Sequence, residues 1–316
     1  FQNYVKMQKD IGVLLTVDSK NDEENAIAGL NHPDGKLKPD DFVAIKANWE
    51  PKSENMKAIA KELNILPESL VFVDDNPAER AIVKGQIKGA AVPEIDSPEH
   101  YIRIIDHAGF FEATSVSDDD RKRNEMYMAN KKRNELEESF TDYGKYLKSL
   151  EMEAEIGPFE KMYMPRIAQL TNKSNQFNLT TKRYTQDDIE KTSEDADNIT
   201  LYGRLKDKFG DNGIVSLVIG KIKGEELHID LWLMSCRVLK RDMEFAMMDA
   251  LVKKALERGV KTIYGYYYPT AKNKMVKEFF DGQGYDLVAE DGDGNKTYRL
   301  NISKEYENKN KVINVK

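Results

Sequence analysis

Three polar signals fall at the ends of apolar runs in the first third of the chain: Ser19 in GVLLTVDSKND, Lys52 in NWEPKSENM, and the adjacent carboxylates Asp74 and Asp75 in VFVDDNPAER. A hydroxyl and an ammonium hold phosphate oxygens, and paired carboxylates hold a hard cation such as Mg²⁺. The set therefore has the chemistry of phosphoryl transfer. Carboxylates placed directly after Val71, Phe72 and Val73 are costly to bury unless a positive charge meets them. Asp-Asp-Asn-Pro is also good turn chemistry, and a plain strand end is the other reading. A further candidate is Cys236, the single cysteine, in LWLMSCRVLKR. After an apolar strand, before a long helix and beside Arg237, its thiol is placed to ionise and act as a nucleophile. Its alternative is a small, inert, buried side chain.

The elements that position these groups change character along the chain. Over residues 1–112 strand-like and helix-like segments alternate, with Met56, Ile59, Ala60 and Leu63 at helical spacing in ENMKAIAKELN. That alternation predicts a mainly parallel sheet with helices on both faces, ligands gathering at the C-terminal strand ends. Residues 113–150 are highly charged and read as a solvated helical connector starting near Ser115. Residues 151–302 predict a mixed α/β domain with mostly antiparallel pairing. Its features are a hairpin turn at FGDNG, a turn at KGEE, a long helix from Asp242 to Arg258, and a helix over TAKNKMVKEFFDGQ. Residues 303–316 are polar and predict a disordered tail.

Composition narrows the function classes. A net charge of −7 over 316 residues argues against non-specific nucleic-acid binding. One cysteine excludes an intrachain disulfide and fits a cytoplasmic setting. No apolar run reaches the roughly 18 residues of a membrane span. His32 and His228 lack metal-ligand spacing to a partner. Of the tyrosines at 264, 266, 267 and 268, most predict packing, with one hydroxyl lining an acyl site as the sharper option.

The order Ser19, Lys52, Asp74 with Asp75 resembles motifs II to IV of the haloacid dehalogenase superfamily. Longer strings are similar to the FkbH-like family, which couples such a phosphatase-type domain (subfamily IIIC) to a GNAT-like acyltransferase domain: DSKND, NWEPKSENM, LVFVDDNPAER, NQFNLTTKRYT, LKDKFGDNGIVS and LWLMSCRV. The resemblance covers about residues 1 to 300. It implies an α/β protein, a Rossmann-like haloacid dehalogenase domain followed by a GNAT-like mixed α/β domain. It implies that Ser19 and Lys52 contact phosphate, that Asp74 and Asp75 support Mg²⁺, and that Cys236 carries an acyl thioester. The activity implied is transfer of a glyceryl unit from 1,3-bisphosphoglycerate, with loss of its phosphate, to the phosphopantetheine thiol of an acyl carrier protein in polyketide or related biosynthesis. Lys240 and Arg241, where the GNAT fold has a glycine-rich pyrophosphate loop, would meet the carrier protein's acidic surface or its phosphopantetheine phosphate. Lys240 and Asp242 stand where that loop has glycines, which argues against free acetyl-CoA as substrate. Two alternatives remain: a GNAT-type acyltransferase with a vestigial first domain, and a general Mg²⁺-dependent phosphatase.

One element of the resemblance has no counterpart. The superfamily's nucleophile is the first Asp of an Asp-x-Asp-x-Thr/Val motif closing the first strand, and no such motif occurs here. The chain begins at Phe1, inside an amphipathic pattern, and the expectation is a chain shortened at its N-terminus, its first domain lacking the central strand.

Overall fold

The computed structural model describes residues 1–113 and 116–316. The chain divides into two compact units, Phe1–Lys132 and Arg133–Lys316. The expected start of the connector at Ser115 lies outside the described residues.

In the first unit α1 (Gln2–Asp10), β1 (Thr16–Ser19), α2 (Glu23–Leu30), β2 (Ala44–Ala47), α3 (Lys52–Glu62), α4 (Pro77–Gln86), α5 (Tyr101–His107) and α6 (Asp118–Arg121) follow in order. β1 and β2 pair in parallel, from Thr16 opposite Ala44 to Ser19 opposite Ala47. The run Val71–Val73, expected as a strand, makes only a parallel bridge from Val71 to Ala91, with the Phe72 N–H donating to Ala91 O at 2.8 Å. Among the described residues no ladder joins this bridge to β1. So short a run, bonded along one side, lacks the cross-strand bonds that sustain a ladder. Helix α3 serves both parallel pieces: Met56 packs with Phe72, Val83 and Ile87, and Ile59 with Val43, Ala44 and Tyr127. The helical spacing of these apolar residues puts them on one stripe, which is why a single helix can reach both.

The charged stretch is less solvated than its composition predicts. Helix α7 (Arg123–Glu138) contains the division between units; Tyr127 is buried in the core of the first and Arg133 is buried in the second. Helix α8 (Tyr143–Ser149) adds Tyr146 and Leu147 to the core of the second unit.

The second unit continues with β3 (Glu153–Gly157), α9 (Met164–Lys173), β4 (Phe177–Asn178), α10 (Gln186–Glu194), β5 (Asn198–Asp207), β6 (Gly210–Lys223), β7 (Glu226–Met234), α11 (Met243–Glu257), β8 (Thr262–Tyr267), α12 (Phe279–Gly282), β9 (Asp286–Glu290), β10 (Lys296–Asn301) and β11 (Asn314–Val315). The sheet order is β11-β3-β5-β6-β7-β8-β10-β9, with β4 paired to β7. Pairing is antiparallel except for β7 with β8 and β11 with β3. Val218, Ile229 and Trp232 pack with Met247 and Leu251 of α11 in one core. Leu217, Leu231 and Leu233 pack with Ile167 of α9 and Ile189 of α10 in another.

Three local expectations are corrected. The β5–β6 turn is the two residues Lys208 and Phe209, because Asp207 Oδ1 accepts the Phe209 N–H at 2.9 Å and Asp207 pairs opposite Gly210. Asn212 and Gly213 form a bulge within β6 instead, Gly213 at φ +67°. The helix expected over 270–283 is a 3₁₀ turn (Lys274–Val276) followed by the single turn of α12. Fully buried Asn273 explains this: it donates to Asn178 O and Tyr268 O, both at 2.9 Å, and accepts the Thr270 N–H at 2.7 Å, bonds that compete with a helical backbone. The polar tail is ordered. Asp249 accepts from Tyr306 Oη and the Lys309 and Asn310 N–H groups at 2.9–3.0 Å, Ile313 enters the core, and β11 pairs with β3.

Residues 177–179 occupy a particular place. β7 and β8 pair only from Glu226 opposite Thr262 to His228 opposite Tyr264. Farther along, β4 lies against β7, Phe177 opposite Met234. Leu179 then links both strands: its N–H donates to Trp232 O at 3.0 Å and its carbonyl accepts the Tyr268 N–H at 2.9 Å.

Candidate functional site

In the first unit the structure brings Lys52 and Asp74 together. Pro51 precedes the first turn of α3, and Lys52 at that turn ion-pairs with Asp74 Oδ2, both side chains nearly buried. Asp74 Oδ1 accepts the Asn76 N–H at 2.8 Å, and Arg80 Nη1 donates to the Asp74 and Asp75 carbonyls at 2.8 and 3.1 Å. The local sequence dictates this turn: Asn76 caps α4 by accepting the Ala78 N–H at 2.9 Å, and Pro77 fits the first helical position. Asp75 is exposed. Ser19 closes β1, its carbonyl accepting the Asn48 N–H at 3.0 Å.

Four residues that sequence reasoning passed over complete the cluster. Asp18 Oδ1 accepts from Asn55 Nδ2 at 3.0 Å, while its Oδ2 is buried without a hydrogen-bond partner. Asn55 and Asn48 exchange side-chain bonds at 2.9 and 3.1 Å. Glu79 Oε1 accepts from Lys20 Nζ at 2.5 Å, and its Oε2 is likewise buried and unpartnered. The available signal was an ionisable residue, Asp18, inside the strand TVDS, where burial makes charge expensive.

Burial pushes the Asp18 carboxyl up to about 6; Asn55 and Lys52 oppose this, and Asp74 and Glu79 add to it. The folded-state value lies above the unfolded one. Between about pH 4 and this raised value the folded protein holds a proton that the unfolded chain has released, so stability falls as pH rises through that window and stays lowered above it. Asp18→Asn, which keeps an acceptor for Asn55, is expected to raise the urea midpoint of the first unit above about pH 7 and to change it little near about pH 4. An equal gain at both pH values would assign the effect to something other than this carboxylate.

In the second unit Cys236 is half-buried in a 3₁₀ turn (Cys236–Val238) directly after β7. It is not at the start of α11, which begins at Met243. Lys240 and Asp242, with φ of +64° and +59°, turn the chain between the two. Arg237 Nε donates to Ser235 Oγ at 3.2 Å. Lys240 is exposed, its carbonyl accepting Tyr143 Oη–H at 2.5 Å. Arg241 turns inward. Its Nη1 lies 3.3 Å from Asp207 Oδ2, and its Nη2 donates to Arg237 O at 2.8 Å. Arg133 grips the same carboxylate with two 2.7 Å bonds. Burial, then the like charge of Arg133, holds the Arg241 guanidinium down to about 10, still protonated at neutral pH. Its charge is therefore directed to Asp207.

Among the described residues no helix is long and apolar enough to cross a membrane, and no three His, Cys, Asp or Glu side chains are grouped closely enough to hold a metal ion.

No family model matches the sequence, and no curated protein matches it. Among solved structures the chain is similar to the N-terminal part of the protein BF1531 from Bacteroides fragilis, which contains a phosphatase domain complexed with Mg. The identity is 39% over 36% of this chain, with a TM-score of 0.36. The match spans 31% of that structure's own chain. The chain is also similar to the ribosomal-protein-S18-alanine N-acetyltransferase from Escherichia coli, with 14% identity over 49% of this chain and 97% of that one and a TM-score of 0.37. Ard1 from Thermoplasma volcanium gives 16% identity over 48% and 99%, with a TM-score of 0.38. The protein is a mixed α/β chain, with a parallel α/β unit followed by a unit built on one large mixed sheet.

Proposed function

We propose that this chain is a two-unit glyceryl transferase: it takes a glyceryl unit from 1,3-bisphosphoglycerate, frees its phosphate, and loads the unit onto the phosphopantetheine thiol of an acyl carrier protein. The observation that carries this reading is the convergence of Lys52 and Asp74 from different segments, with the buried oxygens Asp18 Oδ2 and Glu79 Oε2 left without partners nearby in the fold. Two buried carboxylate oxygens without hydrogen-bond partners, beside the Lys52–Asp74 pair, fit Mg²⁺, which uses one or two carboxylates and completes its shell with water and phosphate. Asp74 and Asp75 would hold the ion, and Mg²⁺ would neutralise phosphate charge. Lys52 and Ser19 would bind phosphate oxygens directly.

In the second unit the Cys236 thiolate would attack the acyl carbon of the acyl phosphate. A C–S bond forms, the C–O bond to the C1 phosphate breaks, and that phosphate leaves with the electron pair. In the first unit water would add to phosphorus of the C3 phosphate as its ester P–O bond breaks, the C3 oxygen taking the electron pair and a proton, so that a glyceryl group remains. The carrier thiol then takes the acyl group by thioester exchange.

The test is intact-mass measurement after incubation with 1,3-bisphosphoglycerate, Mg²⁺ and a carrier protein. The expected result is a glyceryl adduct on Cys236 and then on the carrier, both absent with Cys236→Ala. Phosphate release with no adduct on either protein would replace this reading with a general phosphatase.

A further inference from the structure

β7 carries three ionisable groups, Glu226, His228 and Asp230, and each holds a tyrosine hydroxyl. Tyr264 Oη lies 3.5 Å from Glu226 Oε1, Tyr266 Oη lies 2.6 Å from His228 Nδ1, and Tyr184 Oη donates to Asp230 Oδ2. His228 Nε2 lies 3.4 Å from Glu226 Oε2. One protonation pattern satisfies all the partners of His228: Tyr266 O–H donates to Nδ1, and Nε2–H points at the Glu226 carboxylate. The imidazole lies nearly parallel to two tyrosine rings, at 5.0 Å and 7° to Tyr264 and at 6.1 Å and 14° to Tyr266.

This strip is open to solvent. Glu226, His228, Asp230, Tyr264 and Tyr266 are all partly exposed, and Tyr268 is exposed. Register places Lys221 beside His228 and Arg299 beside Tyr264. A bulge breaks β7 at Asp230, since Gly220 faces Ile229 while Ile219 faces Leu231, and such bulges re-aim side chains next to sites. Lys182 and Tyr184, which hold Asp230, line a depression of about 390 Å³ together with Asp188 and Lys191.

We infer that Glu226, His228 and Tyr266 form a proton relay that makes the Tyr266 hydroxyl an acceptor of small acyl groups from activated esters or thioesters. The Tyr266 oxygen attacks the acyl carbon, and its proton passes to His228 Nδ1 as the bond forms. Glu226 stabilises the resulting imidazolium. The bond to the leaving oxygen or sulfur breaks, and that atom takes the electron pair and recovers the proton from His228. The product is an O-acyl tyrosine, from which a second nucleophile can take the acyl group by the reverse path. Burial, followed by the neighbouring phenols of Tyr268 and Tyr264 and the Glu226 charge, holds the Tyr266 phenol above its ordinary range. The proton is therefore present at neutral pH and needs the imidazole to receive it as the attack proceeds. Glu226 is a positioning residue here, and His228 the base.

This inference deepens the acyl-transfer reading of the second unit, but its probe uses neither 1,3-bisphosphoglycerate, Mg²⁺ nor Cys236, so either can fail alone. The full chain is treated with p-nitrophenyl acetate, and acetylation is mapped and timed by peptide mass spectrometry. Tyr266 is expected to be the fastest-labelled tyrosine. His228→Phe, which keeps a ring beside Tyr264 and Tyr266, and His228→Gln should each slow its labelling by about 10²-fold, the low end of general-base contributions. Glu226→Gln should slow it less, with Glu226→Asp restoring part of the rate. Labelling of Tyr266 no faster than that of exposed Tyr143, or equal rates in the wild type and in folded His228→Phe, overturns the relay.

Discussion

Lys52→Ala is expected to lower Mg²⁺-dependent phosphate release by about 10² to 10³-fold, the usual cost of losing one pre-positioned charge beside a reacting group. It should also destabilise the first unit, because Asp74 is nearly buried and, among the described residues, its carboxylate keeps the Asn76 N–H alone when its cation is gone. Removing one partner of a buried pair costs about 3–5 kcal/mol, since an uncompensated charge is left behind. The two effects separate in Lys52→Met combined with Asp74→Asn. Both charges are then absent, and the amide oxygen still accepts from Asn76. That double variant should recover most of the lost stability while phosphate release stays low. Because the double variant also removes Asp74, the role of Lys52 in release is read from Lys52→Ala at a temperature where it is still folded: unchanged release there would show that Lys52 supports the fold and does not touch phosphate.

The second large effect belongs to Asp207→Ala. Asp207 and Arg133 are essentially solvent-free, and Arg241 is nearly so. Without the carboxylate, two guanidinium groups are left in the interior deprived of the counter-charge they share. The expected loss is about 3–5 kcal/mol. At a urea m-value of about 2 kcal/mol/M this lowers the midpoint by about 2 M. The two tryptophans make the measurement clean: Trp232 is buried in the second unit and Trp49 is exposed in the first, so the emission shift follows the second unit. Glu153, which meets Lys206 and Lys316 at the surface, is the comparison, and Glu153→Gln should leave the midpoint close to wild type. Equal effects from the two substitutions would place Asp207 among ordinary surface carboxylates.

Local chemistry was the legible part. KGEE predicts a turn, found with Gly224 at positive φ between β6 and β7, and the long helix expected from Asp242 to Arg258 is found as α11. The polar groups at strand ends were legible for the same reason, because each is abnormal within its own few residues. Long-range pairings carried no such mark. Nothing within LKDKFGDNG says that Asp207 is buried against Arg133, or that the same carboxylate takes the Phe209 N–H and sets the turn at Lys208 and Phe209, four residues before Asn-Gly. Asn273 looked like one polar position in a helical pattern, but its bonds to Asn178 and Tyr268 hold the segment in turns. Asp18 stood one residue from Ser19 and was passed over, because its significance lies in an unpaired buried oxygen that only the packing reveals. The Glu226–His228–Tyr266 contact depends on parallel register between β7 and β8, which sequence periodicity does not set.

The pairing of β11 with β3 joins residues about 160 positions apart, Asn314 opposite Glu153. Closing so long a loop is entropically unfavourable and slow, so this strand docks after the rest of the sheet. In that interval β3 is an outer strand whose free backbone groups could recruit another chain. Its sequence, EAEIG, sets Glu153 and Glu155 at alternate positions, and such charges discourage edge-to-edge pairing. When the last strand arrives, Lys316 meets Glu153 at 2.8 Å, so the charge that guarded the nascent edge against aggregation becomes part of the lock that closes it.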